Sequence, residues 1–593
     1  MRWRPFSPIP FLWFAACAAL SQPVLALDQP EAASRRLAKE GQLTAPAQRF
    51  AVSAANPLAV DAGVEILRAG GSAFDAVVAV QAVLGLVEPQ SSGIAGGAFL
   101  LHWDGRQVQA WDGRETAPAG ATPELFLQPD GRPLPFREAV MSGLSTGTPG
   151  VLAMLAAGHK AQGRLPWVRL FEPAIRLAEQ GFAISPRLHD LFAAEAALRR
   201  DPQASGYFFD AEGQPKPVGT VLKNPAYAAV LRGIAQRGVD AFYRGPVAED
   251  IVRRVHAQAR PGTLSLADLA GYRAVQRPAL CNDWRSYRVC GFGPPTSGHL
   301  TVMQILGLLD TQPAARAATG FGADWLHVYS EAAKLAFADR AEYLGDPAFV
   351  AAPGGDWQNL LAPDYLRERG RLITDRSMTQ AAAGRPGGVK QAFAAQPDQP
   401  EHGTSQVSVV DAQGHAVSMT TSVESAFGSR VMSDGGTGLA GGFFLNNQLT
   451  DFSFTPRGAD GRPVANRVEP GKRPRSSMAP TLVFDAQGQL LMAGGSPGGA
   501  VIIHYVAKLL TGTLAWGLSA QQAVDLPNFG EFNSGSLIVE PGALDAEGLA
   551  SLRARGHRVV ETDLTSGLQV LMRVKGGWVG GADPRREGVV RGE

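Results

Sequence analysis

The stretch that decides the fold is Gly403-Thr-Ser-Gln-Val-Ser-Val-Val-Asp-Ala-Gln-Gly-His-Ala-Val-Ser-Met419. Apolar and polar residues alternate from Val407, the run from Asp411 has turn chemistry, and a second apolar run ends at Met419. The pattern predicts a β-hairpin whose first strand opens with the hydroxyl residue Thr404.

The segment before this hairpin has a different composition. From Ala381 to Gly403 it is rich in Gly, Pro, Gln and Ala without periodicity, which is typical of an exposed, mobile segment. If the bond before Thr404 is cut, the new α-amine lies next to the Thr404 hydroxyl and can act as its general base. A threonine that opens a strand is usually a structural residue, so this hypothesis depends on the rest of the chain.

Helices and further hairpins are predicted on both sides of this region. Asn56-Pro57 and Ser72 have the chemistry of helix starts, and the second helix, up to Val87, is apolar nearly all round, as expected of a helix buried between layers. Further hairpins are predicted with turns at Asp104-Gly105 and around Asp485, and a long helix is predicted from Trp325 to Leu344. Helices flanking several antiparallel hairpins indicate an α+β layered domain.

Composition excludes several classes of partner. The 593 residues include 55 basic and 54 acidic side chains, so the chain has no overall field that would attract nucleic acid or an anionic membrane. A small-molecule substrate is favoured instead. The ten histidines include no pair four apart on an evident helix and there is no cysteine cluster, so neither a metal site nor a cofactor is predicted.

The first 26 residues have the pattern of a secretory signal peptide. Arg2 and Arg4 precede an apolar stretch, and Val24-Leu-Ala26 has the small residues of a cleavage site. We therefore expect a periplasmic or secreted protein without a stable membrane span after signal removal; a lipid anchor at Cys17 is the less favoured alternative.

Two cysteines remain after signal removal. Cys281 and Cys290 bracket a short segment that could form a tight hairpin. In an oxidising compartment they either form a disulfide or remain as two buried thiols, and the spacing does not decide between these.

The stretch from Thr404 to Asp411 resembles the start of the small subunit of gamma-glutamyltransferases, N-terminal nucleophile hydrolases that cut their own precursor before the threonine. Further motifs extend the resemblance from Phe50 to beyond Gly499. It implies a four-layer αββα sandwich with two stacked, mainly antiparallel sheets. It also implies a large subunit from 27 to 403 and a small subunit from 404 to 593, forming one interleaved domain.

The resemblance implies a binding site for an amino-acid head group. Arg114 matches the arginine that holds the substrate α-carboxylate, which a guanidinium can grip with two parallel hydrogen bonds. Ser476 and Ser477 match the serine pair that donates hydroxyls to the same carboxylate. Gln448 and Asp451 match the residues that receive the α-ammonium, since a buried ammonium requires a partner.

The catalytic groups are implied in the same way. The N–H groups of Gly498 and Gly499 would stabilise the oxyanion. Ser422 stands where the family usually has a threonine that contacts the amine of the nucleophile. Glu424 departs from the family asparagine that helps to hold the head group, and a second carboxylate near Asp451 would raise the pKa of one of the two.

The resemblance predicts that Thr404 attacks the γ-amide of glutathione or another γ-glutamyl compound. The acyl-enzyme would then be resolved by water or by an amino-acid or peptide acceptor. An acylase for glutaryl or cephalosporin-type amides is a second hypothesis, because of Glu424 and a 451–476 segment without tyrosine or tryptophan. A third is an exported binding protein that neither cleaves itself nor turns over a substrate.

We discount a nucleophile elbow at Ser496, because Pro497 has no N–H for an oxyanion hole. We also discount a dinucleotide fingerprint over 436–441.

Overall fold

The computed structural model describes residues 43, 45–389, 392–397, 399–400 and 403–593. The predicted signal peptide and Cys17 lie outside the described residues. Within these ranges no helix is both long enough and apolar enough to cross a membrane.

Nineteen strands occur in the described part of the chain. In chain order, β1 to β19 are Ala51–Ala54, Gly97–Trp103, Val108–Asp112, Phe182–Ala183, Val221–Leu222, Val275–Trp284, Tyr287–Phe292, Ser405–Val410, Ala416–Ser422, Met432–Ser433, Phe443–Phe444, Thr481–Phe484, Leu490–Gly495, Phe529–Gly530, Leu537–Val539, Val559–Glu561, Gln569–Val574, Gly577–Ala582 and Val589–Gly592. Twelve of them form one hydrogen-bonded order, β18-β17-β13-β12-β7-β6-β3-β2-β9-β8-β1-β19. Every pairing in this order is antiparallel.

This order forms two stacked layers because β6 changes partner along its length. Its first part, up to Pro278, pairs with β3, and its second part, from Ala279, pairs with β7. Polar side chains join the layers: Ser408 Oγ donates to Gln569 O at 2.9 Å, and Ser418 Oγ donates to Gly494 O at 2.9 Å. The β8–β9 hairpin therefore lies face to face with β13 and β17.

Helices cover both outer faces of the stacked sheets. In chain order, α1 to α18 are Pro57–Arg68, Ala73–Val87, Phe136–Val140, Val151–Gln162, Glu172–Gln180, Pro186–Ala194, Pro202–Phe208, Pro225–Arg237, Asp240–Tyr243, Pro246–His256, Leu266–Gly271, Gly298–Asp310, Pro313–Ala317, Ala323–Tyr343, Pro363–Gly370, Ile502–Leu510, Ala520–Asp525 and Ala546–Ala554. One apolar core joins α1, α2, α4, α5 and α8 to the layer that contains β8, and a second joins α12, α14, α16 and α17 to the other layer. The predicted αββα sandwich is confirmed.

Local sequence signals account for the main elements. The Asn56 side chain accepts from Leu58 N at 3.0 Å, and Ser72 forms a capping box with Asp75. All 15 residues of α2 are buried, as its apolar composition predicts. In the hairpin turn, Asp411 Oδ1 accepts from Gln413 N at 2.9 Å and His415 N at 3.0 Å. The predicted hairpins β2–β3, β8–β9 and β12–β13 all form.

The two cysteines lie directly opposite each other on β6 and β7. Cys281 and Cys290 are joined in a disulfide with an S–S distance of 2.03 Å. The structure thus favours the disulfide over two separate thiols.

Candidate active site

Thr404 lies at the entrance to a central strand. It directly precedes β8, which pairs with β1 on one side and β9 on the other. Its side chain is buried, and its carbonyl accepts a hydrogen bond from Arg586 Nη1 at 3.1 Å. The hydroxyl is thus held on a rigid part of the sheet, not on a loose loop.

Two hydroxyl groups point at the carbonyl of the peptide bond before Thr404. The Gly403 oxygen accepts from Thr404 Oγ1 at 2.5 Å and from Ser422 Oγ at 2.6 Å. Ser422 Oγ in turn accepts from Glu424 N at 2.8 Å. Ser422 Oγ, as a donor to this carbonyl oxygen, would stabilise the negative charge that develops there during nucleophilic attack. Thr404 Oγ1 lies beside the same carbonyl as the candidate nucleophile, so the arrangement suits cleavage of this bond.

The predicted site residues meet at one cavity. Nine of the ten residues predicted to be catalytic or substrate-binding line it, together with two apolar residues; the lining consists of Arg114, Thr404, Ser422, Glu424, Gln448, Asp451, Ser476, Ser477, Met478, Gly499 and Ile502. The tenth predicted residue, Gly498, is not part of the lining.

Opposite charges lie side by side in this cavity. Arg114 is fully buried and forms an ion pair with Asp451. The guanidinium also donates to the Pro474 carbonyl at 3.2 Å and to the Arg475 carbonyl at 3.1 Å, while Gln448 Nε2 donates to Asp451 Oδ2 at 2.9 Å. A ligand with a carboxylate and an ammonium on one carbon could exchange this internal pair for two intermolecular ones.

The two predicted serines are positioned by backbone and side-chain donors. Ser476 Oγ accepts from Met478 N at 3.0 Å, and Ser477 Oγ accepts from Arg340 Nη2 at 2.6 Å. Arg340 itself comes from α14 and also donates from Nε to Ser297 Oγ at 2.8 Å. These bonds fix the direction of hydroxyl groups that line the cavity, because an oxygen that accepts an N–H must turn its own proton elsewhere.

Glu424 has one carboxylate oxygen that is strongly held. Its Oε2 accepts from Asn447 Nδ2, from Ser425 Oγ at 2.5 Å and from Thr450 Oγ1 at 3.5 Å. The residue is buried, with 1% of its surface exposed, so this carboxylate is anchored inside the protein.

The loop that contains Gly498 and Gly499 requires glycine. Both residues have positive φ, 134° and 57°, and a Cβ on Gly498 would lie 2.6 Å from the Tyr505 ring. The discounted elbow residue Ser496 is fully buried, donates to Pro497 O at 2.8 Å and accepts from Gly567 N at 3.2 Å. Ser496 therefore supports the loop and lies outside the cavity lining. The discounted fingerprint is followed by β11, where a dinucleotide motif would open a helix.

Glu115 is a carboxyl group next to Arg114 to which the sequence assigned no role. It is fully buried, its Oε2 lies 3.9 Å from Arg114 Nη1, and neither carboxylate oxygen accepts a hydrogen bond from any other of the described residues. Burial raises the pKa of the Glu115 carboxyl to about 8, against the opposing effect of Arg114. Its position next to Arg114 in the sequence was the one available signal.

Among the described residues, one group has metal-ligating side chains close together: His327, Glu331 and His557. His327 Nδ1 and His557 Nε2 are hydrogen bonded at 2.8 Å, and Glu331 Oε1 accepts from Lys334 Nζ at 2.8 Å. The ammonium of Lys334 thus already supplies the positive charge that this carboxylate needs, and we assign no ion to the group.

The structure has a buried hydroxyl at the start of a central strand in stacked antiparallel sheets, and this hydroxyl faces a cavity with paired charges. This arrangement is that of the N-terminal nucleophile hydrolases.

The comparisons with known proteins agree. The chain matches the family model described as Gamma-glutamyltranspeptidase over residues 59–592. It is 34% identical over 552 residues to "Glutathione hydrolase proenzyme" of Escherichia coli (strain K12), and the match covers 91% of this chain and 91% of that protein. It is 35% identical over 520 residues to "Glutathione hydrolase proenzyme" of Bacillus subtilis (strain 168), covering 86% of this chain and 84% of that protein.

A solved structure, the cephalosporin acylase from Bacillus halodurans, matches with a TM-score of 0.78 and 28% identity, covering 93% of this chain and 96% of that one. The chain therefore belongs to the gamma-glutamyltranspeptidase family.

Proposed function

We propose that the chain is a precursor that cleaves itself between Gly403 and Thr404 and then acts on γ-glutamyl amides such as glutathione. The observation that carries the proposal is that the Thr404 side chain and the Arg114–Asp451 ion pair line the same cavity. The hydroxyl supplies a nucleophile and the ion pair supplies a receptor for the zwitterionic head group of an amino acid. The relatives named glutathione hydrolase support the substrate class.

Self-cleavage would follow from the contacts at Gly403. Thr404 Oγ1 forms a bond to the Gly403 carbonyl carbon and loses its proton, the C–N bond breaks, and the nitrogen takes up that proton to become a free α-amine. Water then hydrolyses the resulting ester. The products are a large subunit ending at Gly403 and a small subunit beginning at Thr404.

Catalysis on substrate would use the same hydroxyl. Arg114, Ser476 and Ser477 would hold the α-carboxylate of the substrate, and Gln448 and Asp451 would receive the α-ammonium. Glu424 would add a second carboxylate to this cavity.

Thr404 Oγ1 would then attack the γ-carbonyl, with its proton passing to the α-amine and on to the leaving amine. Gly498 and Gly499 would donate to the oxyanion, and Ser422 would contact the α-amine of Thr404. Water or an amino-acid or peptide acceptor would resolve the ester.

The first test is the fragment pattern of the purified chain. Denaturing electrophoresis with intact mass is expected to give two fragments that meet at the Gly403–Thr404 bond. Thr404→Ala should remain one chain, whereas Thr404→Ser keeps a hydroxyl and should still be cut. A wild-type chain that stays intact would overturn the proposal and favour a binding protein without turnover.

The acylase hypothesis is the second candidate. It is favoured by the solved cephalosporin acylase, whose fold covers nearly the whole chain. The two functions differ in whether the substrate needs an α-amino group. Faster turnover of a glutaryl amide than of the matching γ-glutamyl amide by the mature wild-type enzyme would favour the acylase.

We also propose that the protein is exported, since its first 26 residues have the pattern of a secretory signal. The mass of the large subunit from the native host tests this. A mature N-terminus near Leu27 is expected, and retention of Met1 would contradict export by this signal.

A further inference from the structure

The loop that follows β9 has an unusual backbone. Five residues other than glycine have positive φ in the described part of the chain, and three of them lie within seven positions: Glu424 at 78°, Phe427 at 63° and Arg430 at 63°. A side chain with a Cβ adopts this region at an energetic cost, and such residues persist where the surrounding structure holds them. This loop is therefore a concentrated site of backbone strain beside the cavity.

Each of the three residues has a buried side-chain anchor. Phe427 packs edge-on against the rings of Phe208 and Phe444, and Arg430 Nη2 donates to Glu195 Oε2 at 3.0 Å. For Glu424 the anchor is its carboxylate, which accepts from the Asn447 side-chain amide and from Ser425 Oγ. The Glu424 side chain thus holds its own backbone in the left-handed region.

The main chain of Glu424 is connected to the Gly403 carbonyl through the Ser422 hydroxyl. The Glu424 N–H donates to Ser422 Oγ, and Ser422 Oγ donates to the Gly403 carbonyl. Because the serine oxygen is occupied as an acceptor by an amide, its proton is directed to the carbonyl that self-cleavage would attack.

We propose that Glu424 is a positioning residue for self-cleavage. Its anchored side chain holds the main-chain N–H that aims the Ser422 hydroxyl at the Gly403 carbonyl. The inference rests on the proposed cleavage at Gly403–Thr404 and adds to it a residue that acts through Ser422. It also explains the departure from the family asparagine: asparagine tolerates the left-handed region by itself, whereas glutamate needs an anchor to remain there.

The proposal predicts a ranking of self-cleavage rates among the Glu424 variants. A carboxylate that acted only through its charge would give a different ranking. Glu424→Ala removes the anchor but keeps a Cβ, so the backbone should leave the left-handed region and self-cleavage should slow by about tenfold or more. Glu424→Gly also lacks the carboxylate, but glycine adopts this φ without cost and should restore most of the lost rate. Glu424→Asn should lie close to the glycine variant.

The experiment follows self-cleavage of the full chain during cell-free synthesis, by gel and intact mass over time. Arg285→Ala is the matched control, because Arg285 also has positive φ, 55°, but lies exposed in the β6–β7 turn. Thermal unfolding of uncut chains carrying Thr404→Ala reports whether each variant folds. In a Ser422→Ala background the Glu424 substitutions should have no further effect, because the group that they position is gone.

Glycine and alanine variants that cleave equally slowly would overturn the proposal and assign the effect to the carboxylate. An alanine variant that cleaves like the wild type would also overturn it. A wild-type chain that is never cut would instead remove the proposed function itself, so the two failures are distinguishable.

Discussion

Replacing Asp451 with asparagine tests whether this carboxylate receives a substrate ammonium. The side chain of Asp451 is 8% exposed, forms an ion pair with Arg114 and accepts from Gln448 Nε2 at 2.9 Å. A charge-assisted hydrogen bond to a buried carboxylate contributes about 3 kcal/mol at the upper end of the usual range, and losing it lowers kcat/KM by about 150-fold. Asparagine keeps the shape and removes the charge, so the effect should be confined to substrates with an α-amine.

The assay compares two chromogenic amides, γ-glutamyl-p-nitroanilide and glutaryl-p-nitroanilide, which differ only in the α-amino group. In Asp451→Asn the kcat/KM for the γ-glutamyl amide should fall by about 150-fold, while that for the glutaryl amide should stay level or rise because a repelling carboxylate has been removed. Asp460→Asn is the matched control, since Asp460 is an exposed carboxylate further along the same segment. Its Oδ2 accepts from Arg462 Nε at 2.6 Å.

Self-cleavage of each variant must be checked by gel before kinetics, because an uncut chain has no α-amine on Thr404. An equal loss on both amides in a fully cleaved Asp451→Asn enzyme would refute the reasoning, since the residue would then act on the structure of the cavity and not on the ammonium.

Three further outcomes are expected. The pKa of Glu115 is raised to about 8 in the fold, so its contribution to the free energy of unfolding is fully present below about pH 4.5 and is lost as the pH rises through 8. The stability gained by Glu115→Gln should therefore grow from pH 5 to pH 8, and denaturant titrations that show a constant difference between the variant and the wild type would contradict this. Gly498→Ala would force a Cβ against Tyr505 at positive φ, so kcat of the cleaved enzyme should fall by about 100-fold or more; unchanged kcat would exclude this loop from catalysis. Joint replacement of Cys281 and Cys290 by serine opens a loop with a sequence separation of 9, so the free energy of unfolding should fall by about 2–3 kcal/mol in urea titrations. Equal stability of the variant and the wild type under oxidising conditions would argue against the disulfide in solution.

The sequence predicted most of the elements because their signals are local. The Asn56 and Ser72 caps, the apolar surface of α2 and the Asp411 turn are each decided within a few residues, and the structure has them where the pattern indicates. The family resemblance located the site residues one by one, since Arg114 and Asp451 are 337 positions apart and no local rule connects them.

The sequence by itself therefore determined the class of fold, the hairpin that presents Thr404 and the identities of the polar groups around it. Only the tertiary structure decided how those groups act on each other. Burial of Glu115 against Arg114 depends on the packing of the whole domain. The Arg114–Asp451 ion pair in the cavity and the left-handed backbone that aims Ser422 at Gly403 depend on it as well. Desolvation and hydrogen-bond direction are properties of three-dimensional neighbours, which residue order alone does not specify.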